Sequence, residues 1–498
     1  YAEHSLYFSA AMGRTHIYLG AEQKESMIGT VNLNPLGEGG DFIAFPVIGS
    51  IGFHVPAGQT AYFSSVQIRN YRSPSNILYS AYSSPLKMEG SKSGALIINN
   101  PRKNSMPMLR TAFSAKGSSI AKARLYVTAR GIYEIYLNGK RIGNDYFNPG
   151  LTQYNKTHLY QTYDVTDKIV GGKNALGAIL GEGWWSGAST YTGDFWNFFG
   201  DRQSLLAKLV VTYTDAKEEI IVSDPSTWTY FDNGPLIYGS FFQGEVYDAS
   251  KEKLINGWSS PTYNDSTWHP AVETSLKEHI SLDERNKALN MPMVDDYSHL
   301  QLVGQAGDAV RRVKELTATS MEEVRPGVFL YDMGQNMAGV PKITLKGMPA
   351  GKKLVLRFAE VRYPDLVEYK EHVGMIMLEN IRAAMAQDIY ITKGGDETIH
   401  PRFTYHGYRY IEITGIDEAL PVEAVKSDVL SSVHALASHI ETSNPQVNRL
   451  WENITWSTFA NFMSIPTDCP QRNERLGWSG DISVFAGTAT YLAHMQYF

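Results

Sequence analysis

The hydrophobic period of this chain changes near residue 443, and that change constrains its fold class most strongly. Up to about residue 430, short segments recur in which apolar and polar residues alternate, such as Ala121–Ala129 and Gly131–Leu137. Asn138-Gly139 follows the second segment directly, and this pair is the strongest short signal for a β-hairpin turn. Many such segments with turn residues between them predict a multidomain, mainly β protein built from consecutive antiparallel β-sandwiches.

The last part of the chain carries a helical period instead. Asn444-Pro445 supplies an N-cap residue followed by proline at the first helical position. One helical stripe then follows, formed by Val447, Leu450, Trp451, Ile454, Thr458 and Phe462. We expect this helix to stop at Ile465-Pro466 and Asp481 to cap a second helix, with Val484, Phe485, Thr488, Leu492 and Met495 on one face. Because two helices cannot bury two apolar stripes by themselves, we expect an all-helical domain to begin here.

The length of 498 residues is too great for one hydrophobic core and suggests roughly three or four domains. A polar stretch before residue 106, a proline-interrupted stretch near 286–293 and the change of period mark three boundaries. The predicted domains are two β-sandwiches at 1–105 and 106–285, the second of jelly-roll type, a third β-sandwich at 286–430, and the helical region 431–498.

Composition excludes several classes of function. The net charge of −6 and the absence of a basic run argue against a nucleic-acid partner, because phosphate binding requires clustered Lys and Arg. No apolar run reaches the length of a membrane span, and no glycine-rich phosphate loop follows a strand. The chain begins with Tyr1 rather than Met, so we expect a mature protein in the periplasm or outside the cell, with a cytoplasmic location left open.

Aromatic residues make up 12% of the chain, either because β-strands favour them or because they stack on sugar rings. Composition alone leaves both explanations open. The single cysteine, Cys469, excludes an intramolecular disulfide and a cysteine-based zinc cage. Since no histidine is nearby in the sequence, we interpret Cys469 as a packed small residue rather than a nucleophile.

The loop at residues 467–481 concentrates groups that can carry out chemistry. It holds Asp468, Arg472, Glu474, Arg475, Trp478 and Asp481. Glycoside hydrolysis needs one carboxylic acid to protonate the leaving oxygen and one carboxylate as base or nucleophile. We expect the two arginines to pair with the aspartates, so that the central glutamate keeps its proton beside the apolar tryptophan. A surface loop whose charges pair for solubility explains the composition equally well.

The stretch Thr467–Asp481 closely resembles the signature of bacterial α-L-rhamnosidases, which form glycoside hydrolase family 78. Five further stretches look like this family: Gly181–Trp185, Tyr331–Gly339, Phe358–Val361, Asn380–Ala384 and Pro401–Tyr410. Residues 1–105 look most like the concanavalin-like domain at the front of some members. The resemblance implies that residues 431–498 begin an (α/α)6 six-hairpin barrel.

The resemblance also implies an activity and its residues. The family hydrolyses terminal non-reducing α-L-rhamnose with inversion, which makes Glu474 the general acid. Asp468, Arg472, Trp478 and Asp481 are implied as contacts to the rhamnose. The implied base is a glutamate downstream of these 498 residues, so we expect this chain alone to be inactive. The family usually has Asp where this chain has Asn473, which removes one negative charge beside the acid.

The implied partners are glycosides or polysaccharides that contain L-rhamnose, and no cofactor is expected at the loop. Some relatives bind rhamnose with calcium in the second β-domain. A secondary carbohydrate site there would use Trp184, Trp185 and Trp196, although core packing is the better explanation of these tryptophans. His406 is interpreted as a structural histidine rather than a base.

Other stretches and functions stay open. Asp332, Gln335 and Asn336 are polar enough to face a sugar, but turn chemistry explains them equally well, and Glu360 fits strand alternation. A non-catalytic carbohydrate-binding module that kept the signature loop is one alternative function. Another α/α-barrel glycosidase, acting on L-mannose-like or uronic sugars, is a second.

Overall fold

The computed structural model describes residues 3–11, 14–32, 51–69, 77–81, 83–90, 95–98, 105–117, 119–187, 197–200, 202–274, 296–382 and 384–498. The chain divides into two compact units. The described residues up to 98 belong to the first unit, and those from 105 onward belong to the second. The boundary predicted at residues 285–286 lies outside the described residues.

The described part of the first unit consists of short antiparallel strands. The strands are β1 (Leu6–Ala11), β2 (Arg14–Leu19), β3 (Met27–Asn32), β4 (Ile51–His54), β5 (Thr60–Phe63), β6 (Val66–Arg69), β7 (Ile77–Ala81), β8 (Leu86–Glu89) and β9 (Ala95–Ile98). β1, β2 and β3 pair in that order. β4 pairs with β9, β5 with β8 and β6 with β7, so these strands nest as successive antiparallel pairs.

Among the described residues the second unit begins with thirteen strands, eleven of which form two sheets, and the jelly-roll type of this domain stays a prediction. They are β10 (Met108–Ala115), β11 (Ile120–Arg130), β12 (Ile132–Leu137), β13 (Lys140–Arg141), β14 (Thr157–Asp164), β15 (Gly172–Gly181), β16 (Ser204–Tyr213), β17 (Glu218–Val222), β18 (Thr229–Phe231), β19 (Leu236–Ser240), β20 (Gly244–Asp248), β21 (His269–Pro270) and β22 (Gln301–Gly304). Among the described strands, one sheet has the order β13-β12-β15-β10-β18-β21 and is called the six-stranded sheet below. A second sheet has the order β17-β16-β11-β14-β22.

These two sheets share one core, and their strands show the predicted alternation. Alternate residues are almost fully buried: Leu125 and Val127 in β11, and Leu209 and Val211 in β16. The residues between them are more exposed. They meet alternate residues of β12 and β15 in the same hydrophobic cluster. The alternation of buried and exposed residues along each strand thus places one face of each sheet in the core.

The predicted hairpin at Asn138-Gly139 is confirmed. It joins β12 to β13, with Leu137 opposite Lys140. Asn138 has φ 51° and Gly139 has φ 82°. Two positive φ values in a two-residue turn are what Asn-Gly favours and what matches the twist of the flanking strands.

A larger sheet follows, built mostly from residues after 310. The remaining strands are β23 (Arg311–Thr317), β24 (Ser320–Arg325), β25 (Val328–Met348), β26 (Lys353–Ala359), β27 (Gln387–Ile391), β28 (Gly395–Ile399), β29 (His406–Thr414), β30 (Val425–Ser431), β31 (Phe462–Met463) and β32 (Ile465–Pro466). Within the described residues, β19-β20-β27-β26-β29-β25-β30-β23 form the main path of a ten-stranded sheet, and β24 and β28 pair with β25. We call it the ten-stranded sheet.

Two α-helices end the chain: α1 (Pro445–Asn461) and α2 (Ser479–Leu492). The described chain also has short 3₁₀ helices at Lys24–Ser26, Thr166–Lys168, Ala249–Leu254, Val367–Tyr369, Glu379–Ile381 and Val422–Ala424. The predicted start of α1 is confirmed, because the Asn444 side chain accepts a hydrogen bond from the backbone N–H of Gln446. Across the described residues, the helices lack the length and apolar character needed to cross a membrane.

Two details of the helical prediction are wrong. α1 ends at Asn461, before the predicted stop, because Phe462–Met463 pairs as a strand with Ile465–Pro466. Asp481 does not cap α2, since Trp478 occupies the N-cap position and offers no side-chain hydrogen bond there. Asp481 lies instead inside the first turn, where a carboxylate still interacts favourably with the helix dipole.

The two helices bury only part of their predicted apolar stripes. Phe459, Phe462 and Ala489 are buried in one small cluster. Leu450 of α1 and Val484 of α2, both counted in the apolar stripes, are exposed in the structure.

Candidate active site in the 467–481 loop

The candidate site is the loop between β32 and α2. The backbone N–H of Asp468 donates to the carbonyl oxygen of Leu476 at 3.1 Å. In return, the N–H of Leu476 donates to Oδ1 of Asp468 at 2.9 Å. These two bonds close residues 468–476 into a compact turn, so the side chains between them have a fixed frame.

Arg475 anchors this turn to the ten-stranded sheet. Its Nη1 donates to the carbonyl oxygens of Phe241 at 2.6 Å and Tyr405 at 2.7 Å, just beyond β19 and just before β29. Its Nε donates to the carbonyl oxygen of Arg472 at 3.1 Å, and its guanidinium lies 4.6 Å from the centre of the Tyr405 ring. The side chain is fully buried. A buried cation is costly unless hydrogen bonds satisfy it, and here backbone carbonyls and an aromatic face do so.

The turn also packs directly on the backbone of β29. A Cβ atom added at Gly407 would lie 2.7 Å from Cγ of Pro470 and 2.8 Å from the backbone nitrogen of Gln471. Only glycine leaves room for the loop at this place. The position of Glu474, the candidate acid, is therefore set by the ten-stranded sheet as well as by the loop.

Glu474 lies between two arginines. Nη1 of Arg382 is 3.1 Å from Oε2 of Glu474, and Nη1 of Arg472 forms an ion pair with the same oxygen. Arg472 also donates through Nη2 to Oδ2 of Asp468 at 3.0 Å. The expected pairing is thus half right: Arg472 does hold Asp468, but Arg475 holds carbonyl oxygens and Glu474 is not left without a cation.

Arg382 is a part of the site that the sequence analysis did not assign. It lies 92 residues before Glu474, directly after the 3₁₀ helix Glu379–Ile381, and adopts φ 54°. The one signal that pointed to it is its place in the family-like stretch Asn380–Ala384. Spacing in the sequence could not have found this contact.

Asp468 and Glu474 lie too close together to form an inverting acid–base pair. One carboxylate oxygen of each, together with Sγ of Cys469, falls within 4.8 Å. Inverting glycosidases keep their two carboxyl groups about 6.5–9.5 Å apart to admit a water molecule. Asp468 therefore cannot be the base of an inverting pair with Glu474, and its role toward a sugar stays a prediction.

Cys469 is a buried, protonated thiol. Burial is the main cause that raises its pKa to about 11, and the neighbouring Asp468 carboxylate raises it further. A nucleophilic cysteine needs a lowered pKa. Its interpretation as a packed small residue is confirmed.

The other implied sugar contacts lie at the edges of the loop. Trp478 is 43% exposed and stands where the loop meets α2. Asp481 is exposed on the first turn of that helix. Asn473 is 1% exposed and therefore packed within the loop rather than open to solvent. The roles of Asp468, Arg472, Trp478 and Asp481 toward a sugar stay predictions.

Trp184 and Trp185 are core residues in this structure. Trp184 packs edge-to-face on Phe241, and Trp185 is fully buried with its indole N–H donating to the carbonyl oxygen of Arg202 at 2.9 Å. Neither offers a face to a sugar, which agrees with the core explanation. Trp196 lies outside the described residues.

The calcium site considered for the second β-domain stays a prediction. Within the part of the chain that the structure describes, the one cluster of three or more His, Cys, Asp or Glu ligand atoms is Asp468, Cys469 and Glu474. That cluster lies in the loop, and arginine already pairs with both of its carboxylates.

The remaining polar candidates are explained by local structure. Arg409 donates to both carboxylate oxygens of Asp332 at 2.8 Å each, and Asn336 donates to Glu360 at 2.9 Å. His406 is fully buried, and its Nε2 lies 3.0 Å from Oδ1 of Asp388. His406 is thus a structural histidine, as interpreted from the sequence.

Three parts of this chain match known protein families. Residues 118–292 match the model of the α-L-rhamnosidase N-terminal domain. Residues 322–434 match the bacterial α-L-rhamnosidase concanavalin-like domain, and residues 435–498 match the bacterial α-L-rhamnosidase six-hairpin glycosidase domain. The concanavalin-like assignment of residues 1–105 stays a prediction.

Individual relatives are similar over most of this chain. An α-L-rhamnosidase from Streptomyces avermitilis is 41% identical over 77% of this chain and 34% of its own length. One from Alteromonas sp. strain LOR is 37% identical over 78% of this chain and 39% of its own length. The chain thus spans little more than a third of these relatives.

A solved structure shows the same fold. The crystal structure of Streptomyces avermitilis α-L-rhamnosidase complexed with L-rhamnose matches with a TM-score of 0.70 and 36% identity. The match covers 85% of this chain and 40% of that one.

Proposed function

Because this chain belongs to the bacterial α-L-rhamnosidase family, we propose that its loop at 467–481 supplies the general acid of a glycoside hydrolase. The proposed reaction removes terminal non-reducing α-L-rhamnose from a rhamnoside with inversion. Glu474 protonates the oxygen of the departing alcohol, while a carboxylate base takes a proton from the water molecule that attacks the sugar from the opposite face.

One observation carries this proposal: a glutamate in a rigid turn, held by cations, within the region similar to six-hairpin glycosidases. The turn is closed through Asp468 and Leu476, and Arg475 fixes it to the ten-stranded sheet. A surface loop whose charges pair only for solubility would not need a fully buried arginine. The geometry favours the functional explanation that composition left open.

Arg472 and Arg382 oppose the protonated form that Glu474 needs in order to act as an acid. Two guanidinium groups beside a carboxyl group favour its charged form, whereas a general acid must carry a proton. Arg472 and Arg382 therefore hold the side chain in position, and proton uptake by Glu474 requires that this pairing loosens. In the proposed cycle, sugar hydroxyls take over the interactions of Arg472 and Asp468 while Trp478 covers the methyl side of the ring.

The direct test is Glu474→Gln in the protein at the full length that its gene encodes. We expect turnover of a rhamnoside with an alkyl leaving group to fall about 10²–10⁴-fold, because the departing alkoxide needs the proton. Turnover of a nitrophenyl rhamnoside should fall less, since nitrophenolate leaves without much help. L-Rhamnose binding, measured by calorimetry, should change little.

Glu452→Gln is the matched control, because it neutralises an exposed glutamate on α1. It should leave both rates unchanged. An equal loss for both leaving groups in Glu474→Gln would mean that this residue is not the proton donor, and unchanged rates would contradict the proposal altogether.

The proposed substrate class has its own test. A site for L-rhamnose accommodates a methyl group at C6 next to an apolar wall, so it should reject sugars with a charged C6. Rates are compared for matched α-L-rhamnosides, α-L-mannosides and uronides. Preference for a uronide would favour the alternative of another α/α-barrel glycosidase.

A further inference from the structure

A cavity of about 280 Å³ lies in the second unit, between the six-stranded and the ten-stranded sheets. β12 lines it from one side, and β20 and β27 line it from the other. One water molecule takes roughly 30 Å³ in the liquid, and ligand pockets start at about 300 Å³. The cavity therefore has room for several waters or one small molecule.

Asp388 lines this cavity and has a buried acceptor without a partner among the described residues. Its Oδ1 accepts hydrogen bonds from His406 at 3.0 Å and from the backbone N–H of Glu245 at 2.8 Å. The residue is 2% exposed, and its Oδ2 has no hydrogen-bond partner among the described residues. A buried carboxylate oxygen without a donor is unfavourable, so a bound group that donates a hydrogen bond would stabilise it.

Arg402 lines the cavity and has a buried donor without a partner among the described residues. Its Nε donates to Oε1 of Glu134 at 2.6 Å, and its guanidinium lies 3.7 Å from the centre of the Tyr146 ring. Its Nη2 is buried and has no acceptor within the described part of the chain. A ligand that fits must thus both donate and accept hydrogen bonds.

The charges around the cavity are already compensated. Glu134 pairs with Arg402 and also with Arg141 at 2.9 Å. Glu252 pairs with Lys393 at 2.5 Å. Burial raises the pKa of Glu245 to about 8, so this carboxyl group is mostly uncharged at neutral pH. A neutral ligand suits such a lining better than an ion.

Aromatic rings supply an apolar wall. The rings of Tyr247 and Tyr390 stack with centroids 5.6 Å apart, and Tyr136 meets Trp258 edge-on at 5.2 Å. All four residues line the cavity. Aromatic faces with a few polar groups between them match a molecule that has C–H faces and a rim of hydroxyls.

We propose that this cavity binds one neutral polyhydroxylated ring, such as a monosaccharide, once the side chains of Asp388 and Arg402 turn toward it, so that a hydroxyl donates to Asp388 Oδ2 and a ring or hydroxyl oxygen accepts from Arg402 Nη2. It is a binding site and not a second catalytic centre. None of its lining residues belongs to the 467–481 loop, so it does not depend on the function proposed for that loop.

The test measures binding of L-rhamnose, D-glucose and D-galactose to the purified protein by calorimetry. Crystals soaked in any sugar that binds are then examined for density in the cavity. We expect one of the three sugars to bind there. Asp388→Asn keeps the shape but replaces the free oxygen by an amide group, and should weaken that binding at least about tenfold.

A second variant blocks the cavity without changing its buried polar groups. Thr398 is exposed and lines the cavity, so it lies at the opening, and Thr398→Trp should abolish binding there. The matched control is Thr162→Trp, the same change at an exposed position of β14 that does not line the cavity. Thermal unfolding of each variant shows whether it folds.

Trp478→Ala separates this site from the loop, because it removes the apolar wall of the loop alone. Binding that survives Trp478→Ala and is lost in Thr398→Trp supports the proposal. Binding lost in Trp478→Ala but kept in Thr398→Trp belongs to the loop and contradicts it. Absence of binding by all three sugars, or density for ordered water or an adventitious additive only, overturns it.

Discussion

At the scale of single residues, Glu474 depends on two arginines from distant parts of the chain. Arg472 belongs to the same turn as Glu474. Arg382 reaches the carboxylate from its position directly after the 3₁₀ helix Glu379–Ile381. Arg382 is 45% exposed at its side chain, so its charge is partly screened by solvent. Of the two arginines that pair with Glu474, Arg382 is thus the one whose removal should disturb the fold less.

Arg382→Met should move the alkaline limb of the rhamnosidase pH–rate profile to higher pH. Removing a neighbouring cation makes loss of the proton from Glu474 harder, so the acid form persists further into the alkaline range. The profile of kcat/KM against pH, measured on an alkyl rhamnoside, gives the shift directly. Arg382→Lys keeps the charge and should restore the original limb.

Arg449→Met is the control for this experiment, since it removes an exposed arginine of α1 that pairs only with Glu452 in the structure described. Its pH profile should coincide with that of the unchanged protein. A limb that stays in place in Arg382→Met, with a lower rate at every pH, would show that Arg382 positions the loop without influencing proton transfer.

At the scale of elements, β29 and the 467–481 loop are fitted to each other at Gly407. A Cβ at this position would lie within 3 Å of Pro470 and Gln471, and the neighbours that must move are mainly backbone atoms and a proline ring. Gly407→Ala should therefore lower the free energy of unfolding by about 1–3 kcal/mol, a typical cost of overpacking. Activity should fall as well, because the loop carries Glu474.

Urea unfolding and steady-state kinetics check this prediction together. Gly29→Ala in β3 is a suitable control, because a Cβ there meets no atom within 4 Å. That change should leave stability nearly unchanged and activity intact. If Gly407→Ala kept full stability and activity, the contact between strand and loop would not be the one that fixes the acid.

Local signals in the sequence were sufficient to predict several elements. The β12–β13 hairpin follows from alternation ending in Asn138-Gly139, and the start of α1 follows from Asn444-Pro445. The end of α1 could not be predicted in the same way. Residues 462–463 leave the helix because they pair with residues 465–466, and helical period carries no information about such pairing.

The site shows the same limit. Its residue types and their place in one loop were predictable, since proton transfer needs carboxyl groups and these stand close together in the sequence. The partners of the arginines were not, because Arg475 binds the carbonyl oxygens of Phe241 and Tyr405, which lie 234 and 70 residues away. Arg382 likewise reaches Glu474 across 92 residues. Only the fold brings such groups together.

At the scale of the whole second unit, buried polar groups join the six-stranded sheet to the ten-stranded sheet. Arg402, just before β29, donates to Glu134 of β12 at 2.6 Å. The backbone N–H groups of Arg402 and Phe403 donate to Oε2 of Glu245 of β20 at 2.9 Å and 3.0 Å. The two layers are therefore connected by groups whose protonation depends on pH.

Glu245 should make the stability of this unit fall as the pH rises. Burial raises its pKa from an ordinary 4.5 to about 8, so the unfolded chain binds fewer protons than the folded one between these values. The stabilising contribution is complete below about pH 4.5 and is lost progressively up to about pH 8, by an amount on the order of a few kcal/mol.

Glu245→Gln removes the titrating group but keeps an acceptor for both backbone N–H groups. Its free energy of unfolding, measured in urea at pH 5 and pH 8, should therefore fall less between the two values than that of the unchanged protein. Burial also raises the pKa of Glu182 to about 7, but this group is present in both proteins and cancels in the difference. Glu218→Gln, at an exposed position of β17, should show the unchanged pH dependence. Identical slopes in all three proteins would mean that Glu245 is already charged in the folded state and that the junction between the sheets tolerates its charge.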